Sequence, residues 1–189
     1  MLDKKREATM SLQQLYQIIP TEVCLSCDVC CRFLDKDSPL APIFTENETG
    51  RLTSKGIDRT LFQRQKDGKS NQIALIPHED YYICPFFEPE THHCKIYASR
   101  PLDCRLYPFT IMFSKDRNSV VLGVDMLCPY SEEHYELDSF QQHLRYVIDY
   151  VESEDVSSQI LENWSLIGEF QDTVKVFHTI RYAFEPLNT

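Results

Sequence analysis

The sequence has no long apolar run. Its longest largely apolar stretch, Leu106–Phe113, is eight residues even counting Pro108 and Thr110, far short of the roughly 20 that a membrane-spanning helix needs. Glycine is scarce, with five in all at positions 50, 56, 68, 123 and 168. No two are spaced for a GxGxxG or GxxxxGK(S/T) loop, which disfavours the common nucleotide-cradling folds. Positive charge is also short: 19 Lys and Arg against 29 Asp and Glu leave −10, which argues against a general nucleic-acid backbone binder. No 7–15-residue apolar stretch follows Met1–Arg6, so no signal peptide is expected and the chain is assigned to the cytoplasm. Cysteine is absent from the last 61 residues.

Elsewhere cysteine is abundant. Eight are present, at 24, 27, 30, 31, 84, 94, 104 and 128. A reducing cytoplasm disfavours structural disulfides. A chain of 189 residues that is 42% hydrophobic is also large enough to bury a core without such staples. Eight thiols then call for another explanation, and metal is the leading one. The length fits one domain, or one domain with a short appendage.

Residues 7–19 have helical apolar spacing through Leu12, Leu15, Tyr16 and Ile19, with Pro20 as a stop. Residues 34–52, with Pro39, Pro42, Asn47 and Gly50, read as an irregular connection. Thr53 or Ser54 is placed to cap a short helix carrying Ile57, Leu61 and Phe62. Ile73–Ile76 is a strand candidate before Pro77, and Asp67-Gly68 a turn. Tyr81–Pro108 is dense in aromatics, prolines and cysteines and reads as irregular backbone. Phe109–Phe113 and Val120–Val124 form a hairpin pattern. Residues 1–130 carry a net −1 and residues 131–189 a net −9. That acidic tail reads as helical over 139–153, with Phe140, Leu144, Val147, Ile148 and Val151 on one side. A second helix covers about 157–165, and a third apolar segment runs from Phe170 to Phe184. It is expected to pack as a helical layer on the rest; docking of a basic protein partner is the sharper alternative.

The run Cys24-Leu25-Ser26-Cys27-Asp28-Val29-Cys30-Cys31 sets thiols at relative positions 0, 3, 6 and 7. Thiolates are soft ligands that select zinc or iron–sulfur centres. The C-x2-C-x2-C triplet, together with Cys84-Pro85 and Cys128-Pro129, leans towards an iron–sulfur (4Fe-4S) cluster. Zinc is the alternative, but its knuckle pattern would need a second C-x2-C pair. If the run were helical, Cys24, Cys27 and Cys31 would share a side and Cys30 would point about 120° away from Cys24. The adjacent pair would then serve two centres, although a single four-cysteine site also fits the count. His92 and His93 precede Cys94 and read first as an exposed polar turn, with mixed ligation as the alternative; His78 has a weaker claim.

Cys24, Cys27 and Cys30-Cys31 are followed by Cys94 with Ile96-Tyr97, Arg100-Pro101, Cys104-Arg105, Tyr107-Pro108-Phe109 and a final Cys128. This order resembles the YkgJ-type cysteine-cluster family, a zinc- or iron-chelating domain named for its CxxCxxCC signature. The likeness spans roughly Cys24–Pro129. It implies eight metal-associated cysteines: Cys24, Cys27, Cys30, Cys31, Cys84, Cys94, Cys104 and Cys128. Flagellin lysine N-methylase carries a related cysteine-rich region, so the resemblance also raises an S-adenosylmethionine-dependent protein lysine methyltransferase as an alternative function. The scarcity of glycine and the lack of a CxxxCxxC triplet weigh against the common forms of that chemistry.

Arg100 and Arg105 flank Cys104 and are assigned to the cofactor's surroundings, where a cation offsets thiolate charge. Pairing with local carboxylates such as Asp103 or Asp125 is the plainer role, and binding of a small ligand's carboxylate or phosphate by Arg100 is the alternative. Asp28 and Asp103 sit inside the cysteine segments, but nothing in their spacing makes either a general base. The expected architecture is α+β, with an irregular, cysteine-rich, metal-bound core and a small antiparallel hairpin packed against N- and C-terminal helices. Residues 1–130 would bind the metal, and 131–189 would be a mainly helical extension.

Overall fold

A computed structural model describes residues 15–181 of the chain. In order, its elements are α1 (Thr21–Cys24), β1 (Arg32–Phe33), β2 (Ile43–Thr45), α2 (Glu46–Thr53), β3 (Phe62–Arg64) and β4 (Ser70–Ile73). Then come β5 (Ile76–His78), β6 (Tyr81–Ile83), β7 (Phe87–Glu88), β8 (His93–Cys94) and α3 (Leu102–Leu106). The last are β9 (Phe109–Phe113), β10 (Val120–Asp125), α4 (Pro129–His134), α5 (Asp138–Val151), α6 (Glu154–Glu162) and β11 (Val174–Thr179). The strands form small antiparallel sheets in the orders β1-β6-β5, β2-β4-β3, β11-β10-β9 and β7-β8. The fold is therefore α+β. Of the helix expected over 7–19, residues 7–14 lie outside the described residues. Residues 15–19 are not helical, and the first described helix starts after Pro20.

The hairpin pairs Phe113 with Val120 and Phe109 with Val124. One of its faces is covered by α5, whose Phe140, Leu144, Val147 and Val151 recur at helical spacing and are all buried. They join Phe109, Ile111, Leu122 and Val124 of the sheet, Leu102 and Leu106 of α3, and Val156 and Ile160 of α6 in one cluster. Each such side chain contributes about 1.5–3 kcal/mol on burial. The third apolar segment of the tail turns out to be a strand over 174–179. Its Val-Lys-Val-Phe-His-Thr sequence, rich in β-branched residues, suits the free edge of β10. The pairing slips between Leu122 and Gly123, where a Cβ on Gly123 would lie 2.3 Å from Val174 Cγ1 and 3.2 Å from the Lys175 carbonyl oxygen.

A second cluster gathers Phe33, Phe44, Leu52, Phe62, Ile73, Ile83, Phe86 and Phe87, with Phe44 edge-on to Phe62 at 5.2 Å between centroids. Residues 43–53 are strand and helix, not an irregular connection. The capping residue is Thr45: its hydroxyl accepts from the Glu48 amide at 3.2 Å, and the Glu48 carboxylate accepts from the Thr45 amide at 2.9 Å. This Thr-x-x-Glu capping box was hidden by the surrounding Pro, Asn and Gly. Thr53 ends the helix instead of preceding one, and Phe62 lies in a strand.

Asp67 ties the two regions together. Its carboxylate accepts from the Lys69 and Ser70 amides at 2.9 and 2.8 Å, the Ser70 hydroxyl at 2.5 Å and the distant Ser165 amide at 3.1 Å. Among the described residues no helix is long and apolar enough to cross a membrane.

Two stability tests follow. Gly123→Ala should cost about 1–3 kcal/mol in urea unfolding, because Val174 and the strand behind it must shift. Asp67 is partly buried, which raises its pKa, but the donors from Ser70, Lys69 and Ser165 outweigh this and bring it down to about 2. Its ionised form therefore stabilises the fold above the unfolded carboxyl's pKa of about 4, and this contribution fades as pH falls towards 2. Asp67→Asn should cost about 1 kcal/mol at pH 7 and flatten the acid limb of the stability profile.

Candidate metal centre

The cysteine run is a chain of turns, not one helix. After α1, the Ser26 amide donates to the Val23 carbonyl and the Cys27 amide to the Cys24 carbonyl, and a 3-10 turn then carries Cys30 and Cys31. The angular reasoning that placed Cys24, Cys27 and Cys31 on one helical side therefore does not apply. Asp28 is bound to Arg32 at 2.8 Å, and that guanidinium also sits 3.9 Å over the Tyr81 ring. It serves as a structural anchor for the run.

Short strands deliver the distant thiols. Pairing of β1 with β6 sets Arg32 opposite Ile83, and the Cys84 amide donates to the Cys31 carbonyl at 3.2 Å. Cys94 is paired with Phe87 across β7 and β8. His92, in the turn between those strands, has a left-handed φ of 57° and places Nδ1 3.3 Å from the Ser26 carbonyl oxygen. It holds the hairpin against the cysteine run and lines the cavity described below, whereas His93 is exposed and His78 lies on β5.

Cys104 is positioned by two carboxylates that the sequence reading did not assign to this task. Buried Glu48 accepts from the Leu102 amide at the start of α3 at 2.8 Å, and Asp103 accepts from the Ile43 amide at 2.8 Å. The two bonds run in opposite directions between α3 and the β2–α2 segment and fix the helix against it. Burial, reinforced by the nearby Glu48 charge, pushes the Asp103 carboxyl up to about 6. The Thr45-x-x-Glu48 signature was the available clue to Glu48.

Seven of the eight cysteines line one cavity of about 560 Å³; Cys128 stands outside its wall as the N-cap of α4. The cavity lies at the seam of the two clusters, with Phe33, Phe44, Phe86 and Phe87 from one and Phe109, Ile111 and Leu166 from the other. Its border includes the exposed side chains Val29, Leu34, Leu40 and Leu127. Cys30 and Cys31 place their sulfurs 3.9 Å apart. Cys30 is solvent-exposed at the cavity, with protein packed on its other sides. Its contact with Cys31 and then burial hold its pKa well above the ordinary thiol value.

For Cys24, Cys84, Cys94, Cys104 and Cys128 burial is the leading cause. It pushes Cys84 up to about 12, Cys104 well above the usual range, and raises Cys24, Cys94 and Cys128. Cys30 adds to the upward push on Cys24, Cys84, Cys94 and Cys104, so it is electrostatically near all four. Cys27 does the same to Cys128.

Arg100 lines the cavity. Its guanidinium lies 3.8 Å over the Tyr97 ring, its Nε donates to the Tyr97 carbonyl at 3.2 Å, and its charge favours ionisation of Cys24, Cys30 and Cys94. Arg105 is not part of the lining. It bonds the Tyr150 phenol on α5, and its carbonyl accepts from the Gln17 side chain. Among the described residues neither arginine forms an ion pair with Asp103 or Asp125, which accept from the Ile43 and Leu127 amides instead.

Among the described residues no three Cys, His, Asp or Glu side chains form a group spaced to hold one ion, and all eight cysteines are free thiols. The donor set nonetheless fits a thiolate-ligated centre. It is sulfur-rich, walled by apolar side chains and joined by Arg100. The buried Tyr107 hydroxyl lines the same cavity without any hydrogen-bond partner. The model of the CxxCxxCC family, described as a putative zinc- or iron-chelating domain, matches residues 23–134. Comparison with curated proteins and with solved structures gives no match.

Glu48→Ala is expected to lower stability by about 3 kcal/mol in chemical unfolding, since it orphans the buried Leu102 and Thr45 amides. The same variant should raise the reactivity of Cys104 towards a thiol reagent as α3 loosens, measured by site-resolved labelling.

Proposed function

Because this chain belongs to the CxxCxxCC, or YkgJ-type, cysteine-cluster family, we propose that it is a metal-binding protein that holds inorganic centres through cysteine thiolates. The observation that carries this reading is the gathering of seven thiols from separate stretches of chain around one apolar-walled cavity. Buried thiols resist ionisation, and a bound cation supplies the charge that makes thiolates stable there. Arg100 lowers the same cost for Cys24, Cys30 and Cys94.

Eight thiols divide into two sets of four. Cys104 is influenced by Cys84, Cys30 and Cys94 and Cys128 by Cys27, while Cys24 is influenced by both Cys30 and Cys27. The division we propose is Cys30, Cys84, Cys94 and Cys104 in one set and Cys24, Cys27, Cys31 and Cys128 in the other, the adjacent pair then serving different centres. Iron–sulfur is favoured over zinc by the C-x2-C-x2-C triplet and the two Cys-Pro pairs. Phe44, Phe86 and Phe87 beside the thiols would exclude water from a cluster. Such a centre supplies one-electron transfer or a Lewis-acidic iron; the protein's part is to fix the sulfurs, offset their charge and keep water out.

Anaerobically purified protein should be brown and carry iron and acid-labile sulfide in equal amounts. Cys104→Ser and Cys128→Ser should each lose about half of both, as expected for two separate ligand sets. Colourless protein holding stoichiometric zinc after anaerobic cluster reconstitution would reject the iron assignment.

A further inference from the structure

The wall of the thiol cavity is not all sulfur. Thr110 and Ile111 of β9, Asp125 of β10 and the stretch that carries Leu166 and Gln171 line it and contribute no cysteine. Its volume of about 560 Å³ falls in the range of pockets that hold small molecules. Buried phenylalanines form much of the wall, and Val29, Leu34, Leu40 and Leu127 stand exposed at its border. Those four are among ten large hydrophobic side chains exposed in the described residues, so apolar surface is concentrated where a ligand would enter.

Charge in the same wall is unbalanced. Two arginines line it, and Arg32 is paired with Asp28 at 2.8 Å. Arg100 has no ion pair with a carboxylate among the described residues. Its Nε donates to the Tyr97 carbonyl at 3.2 Å and its Cζ lies 3.8 Å from the Tyr97 ring centroid. The guanidinium is thereby oriented, while among the described residues its two terminal nitrogens have no hydrogen-bond partner. An oriented fork of this kind matches a carboxylate, which it binds through two parallel hydrogen bonds. The buried Tyr107 hydroxyl, also unpartnered in the lining, is a second donor in want of an acceptor. The carboxylates of the lining, Asp35, Asp103 and Asp125, add negative charge, so one free cation suits a single negative charge and not a phosphate dianion.

We propose that this cavity is a binding site for a small organic acid, its one carboxylate held by the Arg100 guanidinium and its apolar body lying against the phenylalanines and the aliphatic border. The acid is a medium-length aliphatic or aromatic monocarboxylate. This goes beyond the thiolate-centre reading and does not depend on it, since Arg100, the phenylalanines and the border residues carry the site. A metal centre held by the thiols would share its chamber with the acid.

Octanoate is the probe, titrated calorimetrically into the anaerobically purified full chain. Octanamide and octyl phosphate are titrated alongside, and metal and sulfide contents are measured on every sample. Octanoate should bind at one site per chain. Octanamide keeps the apolar tail without the charge and should bind about tenfold more weakly, the least expected for hydrogen bonds to a charged group. Octyl phosphate should bind no tighter than octanoate. Arg100→Gln should weaken octanoate by about the same tenfold factor and so abolish its advantage over octanamide. Arg100→Lys keeps the positive charge, and with it the metal content, but loses the two-pronged contact and should weaken octanoate about threefold.

Absence of octanoate binding to the wild-type chain overturns the proposal, as does equal affinity for octanoate and octanamide. Tighter binding of octyl phosphate overturns the choice of a monocarboxylate. An Arg100→Gln chain that binds octanoate as the wild type does overturns the anchor. Should that variant lose its metal or fail to fold, an unchanged affinity in Arg100→Lys does the same. None of these results touches the thiolate-centre reading, which the metal and sulfide contents decide separately. A chain devoid of metal that binds octanoate with the stated preference overturns that reading and leaves this proposal standing.

Discussion

Sulfur buried among aromatic rings faces a constraint that the rest of the molecule is built around. A thiol in an apolar wall keeps its proton unless positive charge is brought to it, and several thiols sharing one wall oppose each other's ionisation. Cys84 and Cys104 lie at the severe end of that condition, and Cys30, at the centre of the group, adds to the burden on its neighbours. Arg100, stacked on Tyr97, is the protein's own partial answer. A cationic centre coordinated by sulfur would be the complete one, because coordination and ionisation are the same event.

The architecture serves that constraint by keeping the cysteine-bearing backbone irregular and everything around it regular. Strands of two or three residues and turns hold Cys24–Cys31, Cys84 and Cys94. Behind them stand two hydrophobic clusters, one of phenylalanines beneath the small sheets and one formed by the hairpin with α5 and α6. The cavity opens at their seam. Rigidity across the seam comes from polar bonds with little tolerance for change: Glu48 and Asp103 between α3 and the β2–α2 segment, and Asp67 between the β3–β4 turn and Ser165. The acidic tail contributes α5, α6 and β11 to the same packing as the hairpin, so much of its sequence is occupied with building the core.

How much of this could be read in advance depended on the range of the interaction responsible. Phe140, Leu144, Val147 and Val151 announced a buried helical face because periodicity is local. The hairpin was visible for the same reason. Residues 43–53 mislead because the turn formers Pro42, Asn47 and Gly50 mask a capping box formed by Thr45 and Glu48. The 174–179 segment is short and apolar, a pattern that helix and strand share. Its identity was settled by the free edge of β10, which lies some fifty residues earlier in the chain.

The cysteine constellation shows the same division. Family membership and the sulfur-rich character of the segment were present in residue identity and spacing, because the signature is a local run of thiols. The helical geometry assumed for Cys24–Cys31 was not, since the turns that replace it are held by Asp28 with Arg32 and by His92 with Ser26, the second contact crossing sixty-six positions. Nor could spacing reveal that Arg100 lines the cavity while Arg105 turns to Tyr150, or that the buried Tyr107 hydroxyl reaches the cavity without a partner. Side-chain direction on an irregular backbone is decided by what packs behind it, and only the folded chain brings those neighbours together.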